Sequence, residues 1–144
     1  MKPSGLLVLI VFFCLINAHA QPAKDIIKIE FTTSTRGYYK QLTMTRQSIT
    51  IQQEGRQSEN KNPVIRKMKK QDWNRLTLSL KDVPLAELPL LKSPSSNRAS
   101  DGARASSIAI TTSDGVIWSH EFDNENPHEK LQMLMKAITT LNKD

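Results

Sequence analysis

Residues 107–122 read SIAITTSDGVIWSHEF and carry the clearest structural pattern in the chain. Apolar and polar residues alternate in 107–111 and again in 116–122, as in strands that bury one face. Asp114-Gly115 lies between the two runs, and this dipeptide is typical of a tight β-hairpin turn. The stretch therefore predicts an antiparallel hairpin, and with it a fold that contains an antiparallel sheet.

Three or four further strands are expected before this hairpin. We place them at residues 25–31, 38–45, 48–52 and 63–68, with turns at 32–37 and 46–47 and a polar loop at 54–62. The fourth begins with Pro63, which suits the start or the edge of a sheet. Alternation predicts one set of inward-facing side chains: Ile27, Ile29, Phe31, Leu42, Met44, Ile49 and Ile51.

Two helices complete the predicted fold. Apolar residues recur at helical spacing in 70–81, and this helix must end before Pro84. Residues 84–91 are expected to pack irregularly, and 93–106 to form the longest loop. The last helix is expected to use Asn126 as its N-cap, with Pro127 at the first helical position and Glu129 completing a capping box. Its apolar stripe consists of Leu131, Leu134, Met135, Ile138 and Leu141.

These elements predict an α+β domain with a single antiparallel sheet and both helices packed on one face. Such a layout buries the apolar stripes of both helices, and Trp73 and Trp118 are expected in its core. The chain has 144 residues, which suits one domain. It is too short for large enzyme folds such as the TIM barrel.

Residues 1–20 have the features of an export signal peptide: a short basic start, an apolar run and a small-x-small end. We expect cleavage after Ala20 and a single domain over residues 21–144, located in the periplasm or outside the cell. No stable membrane insertion is expected after cleavage. The only cysteine, Cys14, lies inside this leader, so no internal disulfide is possible.

Charge is unevenly distributed along the chain. The formal net charge is +6, yet residues 21–82 carry +7 and residues 83–144 carry −2. A basic cluster at 66–70 could bind an acidic cell-surface polymer, or could protect an edge strand against aggregation. No nucleic-acid-binding motif accompanies it, and export makes nucleic acid an unexpected partner.

The strongest candidate for a binding site is the turn at residues 35–39, where an Arg-Gly pair is followed by two tyrosines. Arginine and tyrosine are enriched at recognition surfaces, and glycine permits a tight turn. Asp101 in the long loop could pair with Arg36 or with Arg98. The candidate binding residues are therefore Arg36, Gly37, Tyr38, Tyr39, Arg98, Asp101 and Gly102.

The sequence offers little for catalysis. It lacks the G-x-S-x-G motif, and no cysteine follows the leader. Two histidines and four acids lie in 120–129, which leaves a metal site as an alternative, although the spacing matches no known ligand pattern. A polar strand end before a capped helix explains the same segment. We therefore assign no catalytic residue, no metal ligand and no cofactor.

Several short pieces occur in an order that resembles a family. These are the turn at 35–39, Trp73 at the start of a helix, Arg98 with 101–103 before the hairpin, and 122–127 before the last helix. The order resembles small exported proteins of Bacteroidetes-type bacteria that have no assigned function. The layout is also distantly similar to emfourin, an inhibitor of thermolysin-like metalloproteases.

The sequence therefore predicts an exported, non-enzymatic binding module whose partner is a protein or a cell-surface ligand. One alternative is inhibition of an extracellular or periplasmic metalloprotease, as the layout similarity implies. The other is a metal-dependent hydrolytic enzyme that uses the segment His120–Glu129.

Overall fold

A computed structural model describes residues 25–55 and 62–142 of the chain. Its strands are β1 Ile26–Thr35, β2 Tyr38–Thr45, β3 Ser48–Gly55, β4 Val64–Lys67, β5 Ala105–Thr112 and β6 Ile117–Asp123. Its α-helices are α1 Lys70–Leu78 and α2 Gln132–Leu141. Short 3-10 helices occur at Leu85–Leu90, Asn97–Ser100 and Glu129–Leu131. The expected signal peptide lies outside the described residues.

The six strands form one antiparallel sheet in the order β4-β3-β2-β1-β5-β6. This confirms the predicted α+β class. The predicted hairpin is present as β5 and β6, and Gly115 adopts a φ of 80° in its turn. A short turn joins β1 to β2, β2 to β3 and β5 to β6, whereas α1 and the segment up to β5 separate β4 from β5. As a consequence β5 returns to pair with β1 in the middle of the sheet.

Both helices pack against one face of the sheet, which we call the inner face. The stripe predicted for the last helix is buried in full, as are Trp73 and Leu76 of α1. They contact buried strand residues of the inner face, among them Ile29, Phe31, Leu42, Met44, Ile108, Ile110 and Phe122. Trp118 is only partly buried and packs at the margin of this core. Within the described residues, no helix has the length and apolar character needed to cross a membrane.

The prediction for the start of β1 was wrong in its register. The pairing with β5 shifts between Ile26 and Lys28, which marks a β-bulge at Ile27. A bulge inserts one unpaired residue, so the alternation of side chains changes across it. Ile27 therefore remains 48% exposed, whereas Ile26 packs against the core in its place.

The ends of β1, β3 and the first helix each lie three or four residues from their predicted positions. Residues 32–35 continue β1 instead of turning, because both neighbouring strands supply partners for them. β3 runs on to Gly55 because β2 pairs with it over that length. The first helix ends at Leu78, and the backbone then tightens through bonds from Leu80 N–H to Thr77 and from Lys81 N–H to Leu78.

The predicted N-cap at Asn126 was also wrong. The helical segment begins two residues later, where the His128 side chain accepts a hydrogen bond from Lys130 N–H. Asn126 instead donates its backbone N–H to Asp123 O, and Pro127 is buried. The chain thus reverses direction at 123–126 before it can become helical, which displaces the cap.

Candidate functional site

The turn between β1 and β2 consists of Arg36 and Gly37. Gly37 has a φ of 74°, which glycine adopts without the steric penalty that other residues incur. The Arg36 guanidinium lies 2.8 Å from the Asp101 carboxylate, so the turn is joined to the loop before β5. The Arg36 and Asp101 side chains are 89% and 65% exposed, so this pair positions the two segments but adds little stability.

Next to this turn, an aromatic ring and two further cations lie on the inner face of the sheet. The Arg104 guanidinium lies over the Tyr38 ring, 5.6 Å from its centroid. Partial burial lowers the pKa of Lys40, Glu125 raises it and Arg104 lowers it. We call Arg36, Tyr38, Lys40, Asp101 and Arg104 the turn surface. It presents three cations and one aromatic ring at one end of the sheet.

The remaining predicted binding residues do not join this surface. Tyr39 follows Tyr38 on the same strand and so points to the opposite face, where its hydroxyl donates to Gln41 Oε1 at 3.0 Å. Arg98 pairs with Asp123 at 2.8 Å, not with Asp101. A Cβ at Gly102 would lie 3.3 Å from the Asn97 carbonyl oxygen, so this glycine allows a close backbone approach. These three residues therefore lie outside the turn surface.

Asp123 organises the loop that covers the end of β6. Its carboxylate is 1% exposed and accepts hydrogen bonds from Ser95 Oγ at 2.6 Å, from the backbone N–H of Asn97 at 2.7 Å and from Arg98. The bond from Ser95, followed by those from Arg98 and Asn97, lowers the pKa of Asp123 to about 2. A carboxylate held in this way stays ionised and is turned away from solvent.

The histidine of the alternative metal site is also committed to the fold. His120 is 3% exposed, stacks on Phe122, and accepts a hydrogen bond at Nε2 from the backbone N–H of His128. Its ring also bonds the backbone of Leu91. Burial lowers the pKa of His120, and nearby His128 and Arg98 lower it further. Among the described residues, no group of three or more His, Cys, Asp or Glu side chains could hold a metal ion.

At the opposite end of the sheet the structure contains a cavity of about 1220 Å³ that sequence reasoning missed. It lies between the inner face and the segment from α1 to the 3-10 helix at Leu85–Leu90. Trp73 and Trp118 both line it, and its basic rim consists of Arg46, Lys67, Lys70 and Lys81. The cluster at 66–70 supplied half of this rim, but only the fold brings Arg46 and Lys81 beside it.

Comparison with known proteins gave no match: no family model, no curated protein and no solved structure is similar to this chain. The resemblance to small exported Bacteroidetes-type proteins and the layout similarity to emfourin therefore stay predictions. The turn surface and the cavity, at the two ends of the sheet, are therefore the features from which a function can be inferred.

Proposed function

We propose that the protein is an exported, non-enzymatic binding module that recognises an acidic group on a protein or cell-surface partner through the turn surface. One contrast carries this proposal. The side chains best suited to proton transfer or metal binding, His120 and Asp123, are buried and fully engaged in internal hydrogen bonds. At the turn surface the predicted Arg36 and the newly found Arg104 are instead exposed, and Arg104 lies over the Tyr38 ring, a composition typical of recognition.

The turn surface is also held in place before any partner arrives. The Thr33 and Ser106 hydroxyls lie directly under it, where Ser106 Oγ bonds Thr33 Oγ1 at 2.8 Å and joins β1 to β5. The exposed Arg36–Asp101 pair adds a weak contact between the turn and the loop. A surface positioned in advance loses less conformational entropy on binding, which favours affinity.

The excess of positive charge at this end of the sheet favours an acidic partner. Arg36, Lys40 and Arg104 outnumber the carboxylates of Asp101 and Glu125 that lie close to them. A partner carboxylate or sulfate can therefore replace Asp101 on Arg36, since an exposed ion pair is weak and exchanges readily. The stacked Arg104–Tyr38 pair adds a flat, partly apolar contact beside that charge.

Titration of the isotope-labelled protein with polyglutamate, followed by amide NMR, tests this assignment. We expect the largest shifts at residues 34–40 and 101–105. The double variant Arg36→Gln/Arg104→Gln should weaken binding by about fivefold or more, from the loss of two exposed charge contacts.

The matched control for this double variant is Arg75→Gln with Lys136→Gln, which removes the same charge from α1 and α2. It should leave the affinity for polyglutamate within about twofold. Equal weakening in both double variants would mean that net charge alone drives binding, and would contradict the turn surface as the site. Shifts confined to the cavity rim would contradict it as well.

A further inference from the structure

We infer that the cavity at the opposite end of the sheet is a second binding site, which takes an amphiphilic anion with an apolar chain and a single acidic head. The apolar chain would lie against Trp73 and Trp118, and the head would lie among Arg46, Lys67 and Lys70. This site is independent of the turn surface and rests on different residues.

The volume and the lining of the cavity suit an apolar chain. Its volume of about 1220 Å³ is slightly above the 300–1,000 Å³ range of common small-molecule sites. Its walls include two indole rings and the side chains of Leu80, Val83 and Leu85. Apolar walls with a few polar groups at one side are typical of sites that bury the body of a ligand and orient its head.

The bulge in β1 contributes to this cavity. Because Ile27 is the extra residue, Ile26 turns toward the core and lines the cavity beside the tryptophans. With regular pairing the apolar Ile26 would face the other side of the sheet. The irregularity thus places an aliphatic wall at this end of the strand.

The rim supplies the complementary charge. Arg46, Lys67 and Lys70 are exposed, and none of them forms an ion pair with another described residue. Lys81 lies 3.7 Å from Asp82 and is partly neutralised. A hydrogen bond from Met68 N–H to Gln47 O at 2.9 Å holds the end of β4 against the β2–β3 turn, which brings Arg46 close to Lys67. The carboxylate in the lining is Asp25, so cations dominate the rim.

The two tryptophans make the site directly measurable. The chain contains two Trp residues, Trp73 and Trp118, and both line the cavity. Intrinsic tryptophan fluorescence therefore reports on this cavity alone. Entry of an apolar chain replaces water beside the partly buried Trp118 and should move its emission to shorter wavelength.

The test is a fluorescence titration of the full chain with dodecanoate, kept below its micelle concentration. We expect a saturable shift with dodecanoate and none with dodecylammonium, which has the same chain and the opposite charge. Lys67→Gln/Lys70→Gln should weaken dodecanoate binding by about tenfold, and the matched control Lys92→Gln/Lys136→Gln should not. Ala86→Phe, which narrows the cavity, should abolish the shift, with far-UV circular dichroism confirming that each variant is folded.

Vesicles of phosphatidylglycerol are a further probe, which tests whether the anionic head belongs to a membrane lipid. Vesicles of phosphatidylglycerol that give the same shift, with the same dependence on Lys67 and Lys70, would support the site with a membrane lipid as its ligand. Vesicle binding without any response to dodecanoate would overturn the cavity as the site. An equal response to dodecanoate and dodecylammonium, or to polyglutamate, would also overturn the inference. A full chain that shows no shift with dodecanoate would overturn it too.

Discussion

The buried hydroxyl pair under the turn surface gives the sharpest prediction about stability. Thr33 and Ser106 face each other across β1 and β5, are 2% and 4% exposed, and share one hydrogen bond of 2.8 Å. Thr33→Val keeps the shape of the side chain but leaves the Ser106 hydroxyl without its partner. Ser106→Ala does the reverse.

The magnitude follows from the cost of an unpaired buried hydroxyl. Each single substitution should lower the free energy of unfolding by about 1–2 kcal/mol, since one buried polar group is left without a hydrogen bond. The double substitution removes both groups and should cost only about 0–1 kcal/mol. In a domain of this size, 1 kcal/mol corresponds to a change in Tm of about 4 °C.

The assay is urea unfolding of the four proteins of this double-mutant cycle, followed by circular dichroism. The matched control is the pair Thr32→Val and Ser107→Ala, which occupies the next register position on the opposite face. Each of these control substitutions should change the free energy of unfolding by no more than about 0.5 kcal/mol. If the losses of Thr33→Val and Ser106→Ala simply add in the double variant, the two hydroxyls are not coupled and the reasoning fails.

Three further predictions concern the buried polar residues. The lowered pKa of His120 means that the unfolded chain takes up the proton first, so the part of the stability that depends on His120 should be constant above about pH 7 and fall as pH drops below about 6.5. Replacing His120 by Gln should reduce this fall in the free energy of unfolding, measured by urea unfolding at a series of pH values. An unchanged fall would contradict the assignment of this pH dependence to His120. The Asp123 carboxyl, with a pKa of about 2, should contribute stability above about pH 4 that is lost as pH falls through about 2. The difference in the free energy of unfolding between wild type and Asp123→Asn should therefore shrink as the pH falls from about 4 to about 2. A constant difference would refute the role of the charge. Trp118 Nε1 is buried without a hydrogen-bond partner in the described residues, so Trp118→Phe loses no hydrogen bond. Its free energy of unfolding should stay within about 1.5 kcal/mol of wild type by thermal or urea unfolding, and a larger loss would reveal a bond to that nitrogen.

The elements that the sequence predicts correctly are those that depend on neighbouring residues. Alternation on both sides of Asp114-Gly115 predicted the hairpin, and the five-residue stripe predicted the buried side of α2. Both patterns repeat with the period of their own secondary structure, so no tertiary contact is needed to recognise them.

The errors arise where another hydrogen-bonded contact overrides a local pattern. Ile27 fits an alternating strand, but pairing with β5 inserts a bulge at that position, and this long-range contact leaves no trace in the residues next to it. Asn126 fits an N-cap, but its backbone N–H closes a local turn to Asp123 O, which leaves the capping role to His128.

The candidate site also contains contacts that the sequence predicts and contacts that only the fold reveals. The sequence allows Asp101 to pair with either Arg36 or Arg98, and the structure shows the pair with Arg36. The second partner considered, Arg98, bonds Asp123, a residue that composition alone gave no reason to select. The cavity combines residues that are as far apart in the sequence as Asp25 and Trp118, and they become neighbours only when the sheet and α1 are assembled.

The length of β2 sets the relation between the two ends of the molecule. Tyr38 at its start belongs to the turn surface, and Arg46 immediately after its end belongs to the cavity rim. Eight residues of extended strand separate them by roughly 25 Å, whereas the Debye length at physiological ionic strength is about 8 Å. Salt therefore screens the cations of one end from those of the other. If both proposed sites bind as we infer, a molecule at one end leaves the opposite end open, and a single copy of this domain would hold an acidic partner and an amphiphile simultaneously, as an adaptor between them.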